Sequence, residues 1–328
     1  VDDPVQQRLR NAFSRFVDIE SMGDLTAANL ARDMGLHLAV DLGGYTADAR
    51  TEIFAHRVAP VQVSFLGYPA TTGSQFIDYI IADSELIPAD SQKFYSEKVA
   101  YLPTYQANDS HRAPSNLKFS RQTLGIPEDA FVYCCFNNNY KILPEVFSSW
   151  MRILTQVERS VLFLYADTSI AQENLRKEAA ARGVDPARLI FGERLSVSDY
   201  LARYHVTDLF LDTYPYNAGA TASDALWVGV PVLTRQGESF ASRVASSLLK
   251  AIGLPELITK SIGEYEMLAT RLGSNPDKFR DIKSRLQANR SITALFNTHQ
   301  IASNLERLYK TAHERAISGQ QPESIRVS

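Results

Sequence analysis

The sequence predicts an α/β protein of two lobes, each a parallel sheet flanked by helices, and three observations carry that expectation. Apolar runs of strand length alternate with stretches of helical length from one end of the chain to the other. A central unit, DLFLDTYPYNAGATASDALWVGVPVLT over residues 208–234, reads as strand, loop, helix and strand in direct succession, the order a parallel sheet requires. Finally, 328 residues exceed a typical single domain, so two lobes are expected.

In chain order, residues 4–15 read as a helix, 16–19 as a short strand, 25–34 as a helix and 37–42 as a strand containing Asp41. An alternation already under way at the first residues, with no initiator Met, implies further elements upstream and a first lobe incomplete at its N-terminus. DLGGYT over 41–46 reads as a strand-end turn, and 47–57 as a helix carrying Arg50, His56 and Arg57. A strand over 61–66 leads into the loop GYPATTG over 67–73, at the carboxyl end where open α/β sheets place ligands. A strand over 77–82, a helix over 88–97 and a strand over 99–102 complete the first lobe. The polar, Pro-containing stretch 103–116 reads as a linker, which bounds the first lobe at 1–112.

The second lobe, 113–315, opens with a strand over 131–137, a loop over 138–143 and a helix begun by Pro144, a residue suited to a first helical position. A strand over 160–165, a helix over 170–181, a strand over 189–191 and a helix over 197–204 lead into the central unit. Helices over 240–252, 262–272, 277–289 and about 298–314 follow, the last carrying Ile301, Leu305 and Leu308 at helical spacing. Residues 316–328 read as a flexible tail.

Composition narrows the function classes. An apolar content of 45% and a charged content of 22% are those of an ordinary globular protein. A net charge of -3 supplies no basic field, which argues against a nucleic-acid partner. Cys134 and Cys135 are adjacent within an apolar run, which is neither metal-ligand spacing nor a disulfide framework, so a reducing, cytoplasmic setting is expected. No apolar run reaches membrane-spanning length and the first ten residues are no signal peptide, so no membrane partner is expected.

The candidate chemistry lies in two loops. A helix entered at residue 221 aims unpaired backbone N–H groups and its positive dipole end at the preceding loop, which suits a phosphate, and Ala220 and Ala222 would keep the approach open. Asp224, one turn inside, could accept both hydroxyls of a ribose; equally, Thr221 to Asp224 fits a capping box that needs no ligand. Lys141 ends an Asn-Asn-Asn-Tyr-Lys loop between strand and helix, placed either to neutralise a diphosphate or simply to face solvent. Asn137 to Asn139 could turn the chain, cap, or hold a base or sugar. The sequence has no Gly-rich phosphate loop ending in Lys-Ser/Thr, no Gly-x-Gly-x-x-Gly, no His-Glu-x-x-His, no nucleophile elbow and no Asp-x-Asp metal anchor. Its six histidines, His37, His56, His111, His205, His299 and His313, show no ligand spacing.

Taken together, Gly44-Tyr-Thr46, Ala59-Pro-Val-Gln-Val63, Leu66-Gly-Tyr-Pro69, Asp78-Tyr-Ile-Ile81, Tyr95-Ser-Glu97, Cys135-Phe-Asn-Asn138 with Tyr140-Lys141, Leu211-Asp-Thr213, Asp224-Ala-Leu-Trp227 and Ala241-Ser-Arg-Val-Ala245 resemble the O-linked N-acetylglucosamine transferases and their SPINDLY-like bacterial relatives, in order and over nearly the whole chain. The resemblance implies the GT-B arrangement, two facing Rossmann-like lobes with the sugar nucleotide held mainly by the second, and no metal or other cofactor. It implies inverting transfer of N-acetylglucosamine from UDP-GlcNAc to Ser or Thr hydroxyls of a protein acceptor, with Lys141 as the catalytic contact to the donor diphosphate. Asn138, Tyr140, Ala220, Thr221 and Asp224 would complete the donor site, and Gly44, Tyr45, Thr46, Gly67, Tyr68 and Pro69 would form cleft loops. The resemblance also allows another donor, GDP-fucose or a different UDP-sugar, or a noncatalytic sugar-nucleotide-binding or scaffold module. This chain departs from the family's eukaryotic pattern in having Asn138 for Gln, Gly219-Ala220-Thr221 for His-Thr-Thr, and Val197 and Tyr200 where animal members carry Lys and His. The family's first-lobe histidines and its helical repeats would lie upstream of Val1.

Overall fold

Two all-parallel sheets organise the computed structural model, which describes residues 4–106 and 112–327. Residues 107–111 of the predicted linker, with His111, lie outside the described residues, as do 1–3 and 328. The first sheet pairs β1 (Leu38–Asp41), β2 (Val61–Ser64), β3 (Tyr79–Ala82) and β4 (Lys98–Tyr101) in that order. The second contains β5 (Phe131–Cys135), β6 (Ser160–Tyr165), β7 (Leu189–Gly192), β8 (Leu209–Leu211), β9 (Val232–Arg235) and β10 (Ile258–Thr259), ordered β10-β9-β8-β5-β6-β7. β2 and β3 are buried at every position, as strands covered on both faces must be. Gln62 is tolerated inside β2 because its amide accepts from the Val58 N–H and donates to the Phe54 and Phe76 carbonyls.

In the first half, α1 (Pro4–Ala12), α2 (Asp24–Asp33) and α3 (Glu52–Ala55) precede β2. The strand expected over 16–19 is absent: those residues are irregular. The helix expected over 47–57 shrinks to the single turn of α3, because the preceding segment is held as a turn, with Asp41 Oδ1 accepting the Gly43 and Gly44 N–H groups and Asp48 at φ 60°. The helix expected over 88–97 is a 3-10 segment, Ala89–Phe94.

The second half follows with α4 (Pro144–Gln156), α5 (Ser169–Ala181), α6 (Val197–Arg203), α7 (Ala220–Val228), α8 (Val244–Ala251), α9 (Ile262–Ser274), α10 (Pro276–Asn289) and α11 (Thr298–Ile317). α4 and α9 cover one face of the sheet, where the Trp150 indole donates to the Tyr265 hydroxyl at 3.1 Å and that hydroxyl donates to the Asp212 carbonyl at 3.0 Å. This fixes the end of β8. α5, α6, α9, α10 and α11 each begin with a capping side chain, from Thr168, Ser196, Ser261, Asn275 and Asn297.

Two features at the carboxyl end differ from expectation. α11 falls within the predicted second lobe, yet its Leu308 and Ala312 are buried in one core cluster with Val61, Val63 and Tyr79 of the first sheet. The expected flexible tail instead ends in β11 (Ile325–Arg326), which adds to the first sheet in parallel with β4. The lobes also meet through Asp83 and Glu85 after β3: Ser247 of α8 bonds Asp83, while Lys250 and Gln236 bond Glu85.

Candidate functional site

β5 and β8 are neighbours in the second sheet, so the loops leaving their carboxyl ends are brought to one edge. Asn137, buried just past β5, ties the two loops together. Its amide donates to Thr213 Oγ1 at 2.8 Å, and its carbonyl oxygen accepts from the Thr221 hydroxyl on α7. Thr213 Oγ1 in turn donates to the Tyr216 carbonyl at 2.7 Å, which shapes the loop leading into α7.

A 3-10 turn over Asn139–Lys141 carries the predicted lysine over this loop. Lys141 Nζ donates to the Asn217 carbonyl at 3.2 Å and lies 3.6 Å from the centroid of the Tyr216 ring, a cation–π distance. Burial lowers the Lys141 pKa, and the charge of Asp212 opposes that shift. Asp212 is itself wholly enclosed; it accepts the Thr213 and Ala218 N–H groups at 2.8 and 2.7 Å and the Thr234 hydroxyl at 2.7 Å. Burial pushes its carboxyl up to about 7, while these hydrogen bonds and Lys141 pull the other way. A half-buried cation thus faces a loop underpinned by a buried acid.

α7 begins at Gly219 as N-cap, and no side chain caps it. Its first intrahelical bond runs from the Ser223 N–H to the Gly219 carbonyl, which leaves earlier N–H groups directed at the loop. The capping-box alternative is therefore not realised: Thr221 lies inside the helix and bonds Asn137, and Asp224 does not reach back. Asp224, 5% exposed, pairs instead with Arg112 Nη1 at 2.6 Å. Burial raises its pKa and Arg112 lowers it. Ala220 is exposed at the helix mouth as expected, but Ala222 is buried in the core and lines no approach. Asn138 and Tyr140 stand exposed on the rim of the Lys141 turn.

The first-lobe loops also come together. Gly44 adopts φ +57°, and a Cβ there would meet Tyr68 Cβ at 2.3 Å; a Cβ on Gly67 would lie 1.8 Å from the Leu42 carbonyl oxygen. Tyr45 packs edge-on to Tyr68 and donates to the Thr72 carbonyl at 2.8 Å. Thr46 bonds the Gly43 carbonyl within its own turn. Buried Glu97 anchors the far end of the second loop, accepting from the Thr71 and Thr72 hydroxyls and the Thr72 N–H. Tyr105 joins these loops to the second lobe: its hydroxyl donates to the Leu66 carbonyl at 3.1 Å and its ring meets Phe240 edge-on. A cavity of about 640 Å³ lies at this junction, lined by Pro69, Thr71, Tyr95, Phe240 and Arg243 among others. Another cavity, about 720 Å³ between β10, α9 and α10, contains none of the predicted site residues. Among the described residues no group of three or more His, Cys, Asp or Glu is placed to hold a metal ion, and no helix is long and apolar enough to cross a membrane.

A family model described as Glycosyl transferase family 41 matches residues 2–117 and 105–305. The chain belongs to that family. An Arabidopsis thaliana protein described as a probable UDP-N-acetylglucosamine–peptide N-acetylglucosaminyltransferase SEC is 36% identical over 98% of this chain and 34% of its own length. A Petunia hybrida relative described as a probable SPINDLY enzyme of the same type is 29% identical over 94% of this chain and 34% of its own length. This chain thus spans about a third of these family 41 relatives. A solved Thermobaculum terrenum O-GlcNAc transferase mutant superimposes with a TM-score of 0.82 at 31% identity, covering 96% of this chain and 61% of the other. The two parallel-sheet lobes are the GT-B arrangement of such glycosyltransferases. Asp212 and Arg112 border this site but are not among the residues that the sequence singles out. Asp212 had a usable signal, an acid closing an apolar strand; Arg112, in a polar linker, had none.

Proposed function

We propose that this chain carries the donor site of an inverting, metal-independent glycosyltransferase that moves N-acetylglucosamine from UDP-GlcNAc to Ser or Thr hydroxyls of a protein. The observation that carries this reading is the seating of Lys141 on the loop that enters the uncapped N-terminus of α7, with Asn137 linking both. A diphosphate in that space would meet an ammonium and several helix N–H groups at once. Both are fixed before the reaction begins, so charge growing on the departing UDP is stabilised without reorganisation. An acceptor hydroxyl attacking the anomeric carbon from the opposite face, beside the Tyr68 and Pro69 loop, inverts its configuration as the bond to UDP breaks, UDP leaving with the bonding electron pair and the hydroxyl proton passing to water. Asn138 and Tyr140 would border the donor on the open side, and Asp224 would take the ribose.

Isothermal titration with UDP and with GDP tests the donor class, and binding of UDP alone is the expected result. Transfer of labelled GlcNAc to a Ser/Thr peptide then tests the reaction. Lys141→Met should lower kcat by about a hundredfold or more with little change in Tm. Activity unchanged by EDTA, and a β-linked product from the α-linked donor, are the expected marks of metal independence and inversion. Failure to bind UDP, or equal loss of turnover and stability in Lys141→Met, would remove the reading.

A further inference from the structure

Arg112 is docked on α7 at two points one turn apart. Its Nη1 meets Asp224 at 2.6 Å, and its own carbonyl accepts the Trp227 indole N–H at 2.8 Å. The residues that follow are fastened to α6, where the Ser115 N–H donates to the Ser198 carbonyl at 2.9 Å and the Ser115 side chain bonds Asp199. The crossover between the lobes is thereby held across the helix pair that flanks the nucleoside side of the site. Among the described residues, the groups turned toward Asp224 are Arg112 from the crossover and the phenols of Tyr200 and Tyr204 from α6 and the turn after it. Those phenols bond each other at 2.7 Å, and Tyr204 also donates to the Thr221 carbonyl at 3.2 Å. Arg203 lies over the Tyr200 and Phe136 rings, and Arg290 over Trp227.

We propose that Arg112 is a positioning residue for the nucleoside end of the donor: held on α7 through Trp227, it fixes the Asp224 carboxylate as an ionised acceptor for the two ribose hydroxyls. This rests on reading the face of α7 as the donor site. A ribose needs an acceptor that offers both oxygens, and a carboxylate does so only when ionised. Burial favours the protonated acid, which would offer a hydroxyl in place of one acceptor; the guanidinium opposes that. The Nη1 contact falls on Oδ1, and an ionised carboxylate has about four acceptor positions over its two oxygens, so the ribose can share Asp224 without displacing Arg112.

The test compares UDP with 2′-deoxy-UDP by isothermal titration in wild type, Arg112→Gln, Arg112→Lys and Trp227→Phe, with Tm recorded for each. Wild type should prefer UDP. Arg112→Gln should bind UDP about tenfold or more weakly and lose most of the preference, with UDP affinity recovering as the pH is raised and Asp224 ionises. Arg112→Lys should keep the preference in part. Trp227→Phe, which retains the ring against Phe296, should show a smaller loss of the same kind and serves if Arg112→Gln fails to fold. An intact preference in Arg112→Gln, or in Trp227→Phe where that variant serves, would make Arg112 a structural clamp only, and tighter UDP binding would make it an obstruction. Either result overturns the proposal and leaves the donor site standing. Wild type that binds UDP and 2′-deoxy-UDP alike overturns the ribose role, and wild type that binds neither overturns the donor reading itself.

Discussion

Lys141 rests with its ammonium 3.6 Å from the centroid of the Tyr216 ring, so the cation of the candidate site is held by an aromatic face and a carbonyl and, among the described residues, is in direct contact with no acid. That arrangement keeps the charge available to an incoming anion. Tyr216→Phe keeps the π face and should leave UDP affinity within about twofold, whereas Tyr216→Ala should weaken it by about three- to fivefold. Tyr216 is half-exposed, so neither change should move Tm appreciably. Equal affinity for all three proteins in calorimetry would show that the ring contributes nothing to placing the lysine.

Asp212 gives the fold a pH dependence whose sign can be worked out. Its carboxyl is pushed from 3.8 up to about 7, so between those values the folded protein keeps a proton that the unfolded chain has released. The stability owed to this group therefore falls as pH rises through that window and is level above it. Asp212→Asn removes the titration while leaving an acceptor for the Thr213 and Ala218 N–H groups. The Tm of wild type should fall relative to Asp212→Asn between about pH 5 and pH 7 and run parallel to it above. Curves that stay parallel throughout would show that Asp212 is ionised at all these pH values.

In the first lobe, Gly67 has no room for a side chain, since its Cβ would lie 1.8 Å from a backbone oxygen that cannot step aside. Gly67→Ala should cost about 2 kcal/mol or more, and it should displace the Tyr68 and Pro69 loop proposed to face the acceptor. Acceptor KM should rise more than donor KM, because Asn137, Lys141 and Thr221 belong to the loops and helix of the other lobe. A rise confined to donor KM would contradict this division of labour.

The sequence was most legible where local and long-range demands coincide. The 208–234 unit shows as strand, loop, helix and strand because a buried parallel strand must be continuously apolar, and because Gly219 and Gly229 bracket α7 as its caps. It misled where one local pattern admits two outcomes. Thr-Ala-Ser-Asp over 221–224 reads as a capping box, but Thr221 finds Asn137 just past β5 and Asp224 finds Arg112 from the crossover. Residues 47–57 have ordinary helical composition, yet Asp41 claims the turn before them. Asn137 and Arg112, dozens of residues distant from their partners on α7, leave no trace in spacing.

β11 is the plainest case, and it carries a prediction of its own. Ser-Ile-Arg-Val over 324–327 is too short and mixed to read as a strand, and its order comes from what it meets. Ile325 and Arg326 pair with Ala100 and Tyr101, and the Val327 N–H donates to the Tyr101 carbonyl at 3.1 Å. The Ile325 and Val327 side chains join the core cluster that contains Leu308 of α11, while Arg326 lies over the Tyr101 ring at 4.3 Å. Ile325→Asp would place a carboxylate in that cluster with no cation provided for it, at a cost of about 2–4 kcal/mol. The expected outcome is a Tm several degrees lower with UDP affinity unchanged, since β11 belongs to the first sheet and the donor loops to the second. Ile325→Val should be nearly silent, separating loss of apolar contact from loss of the strand. An Ile325→Asp protein that melts with wild type would mean that these residues do not hold the sheet edge in solution.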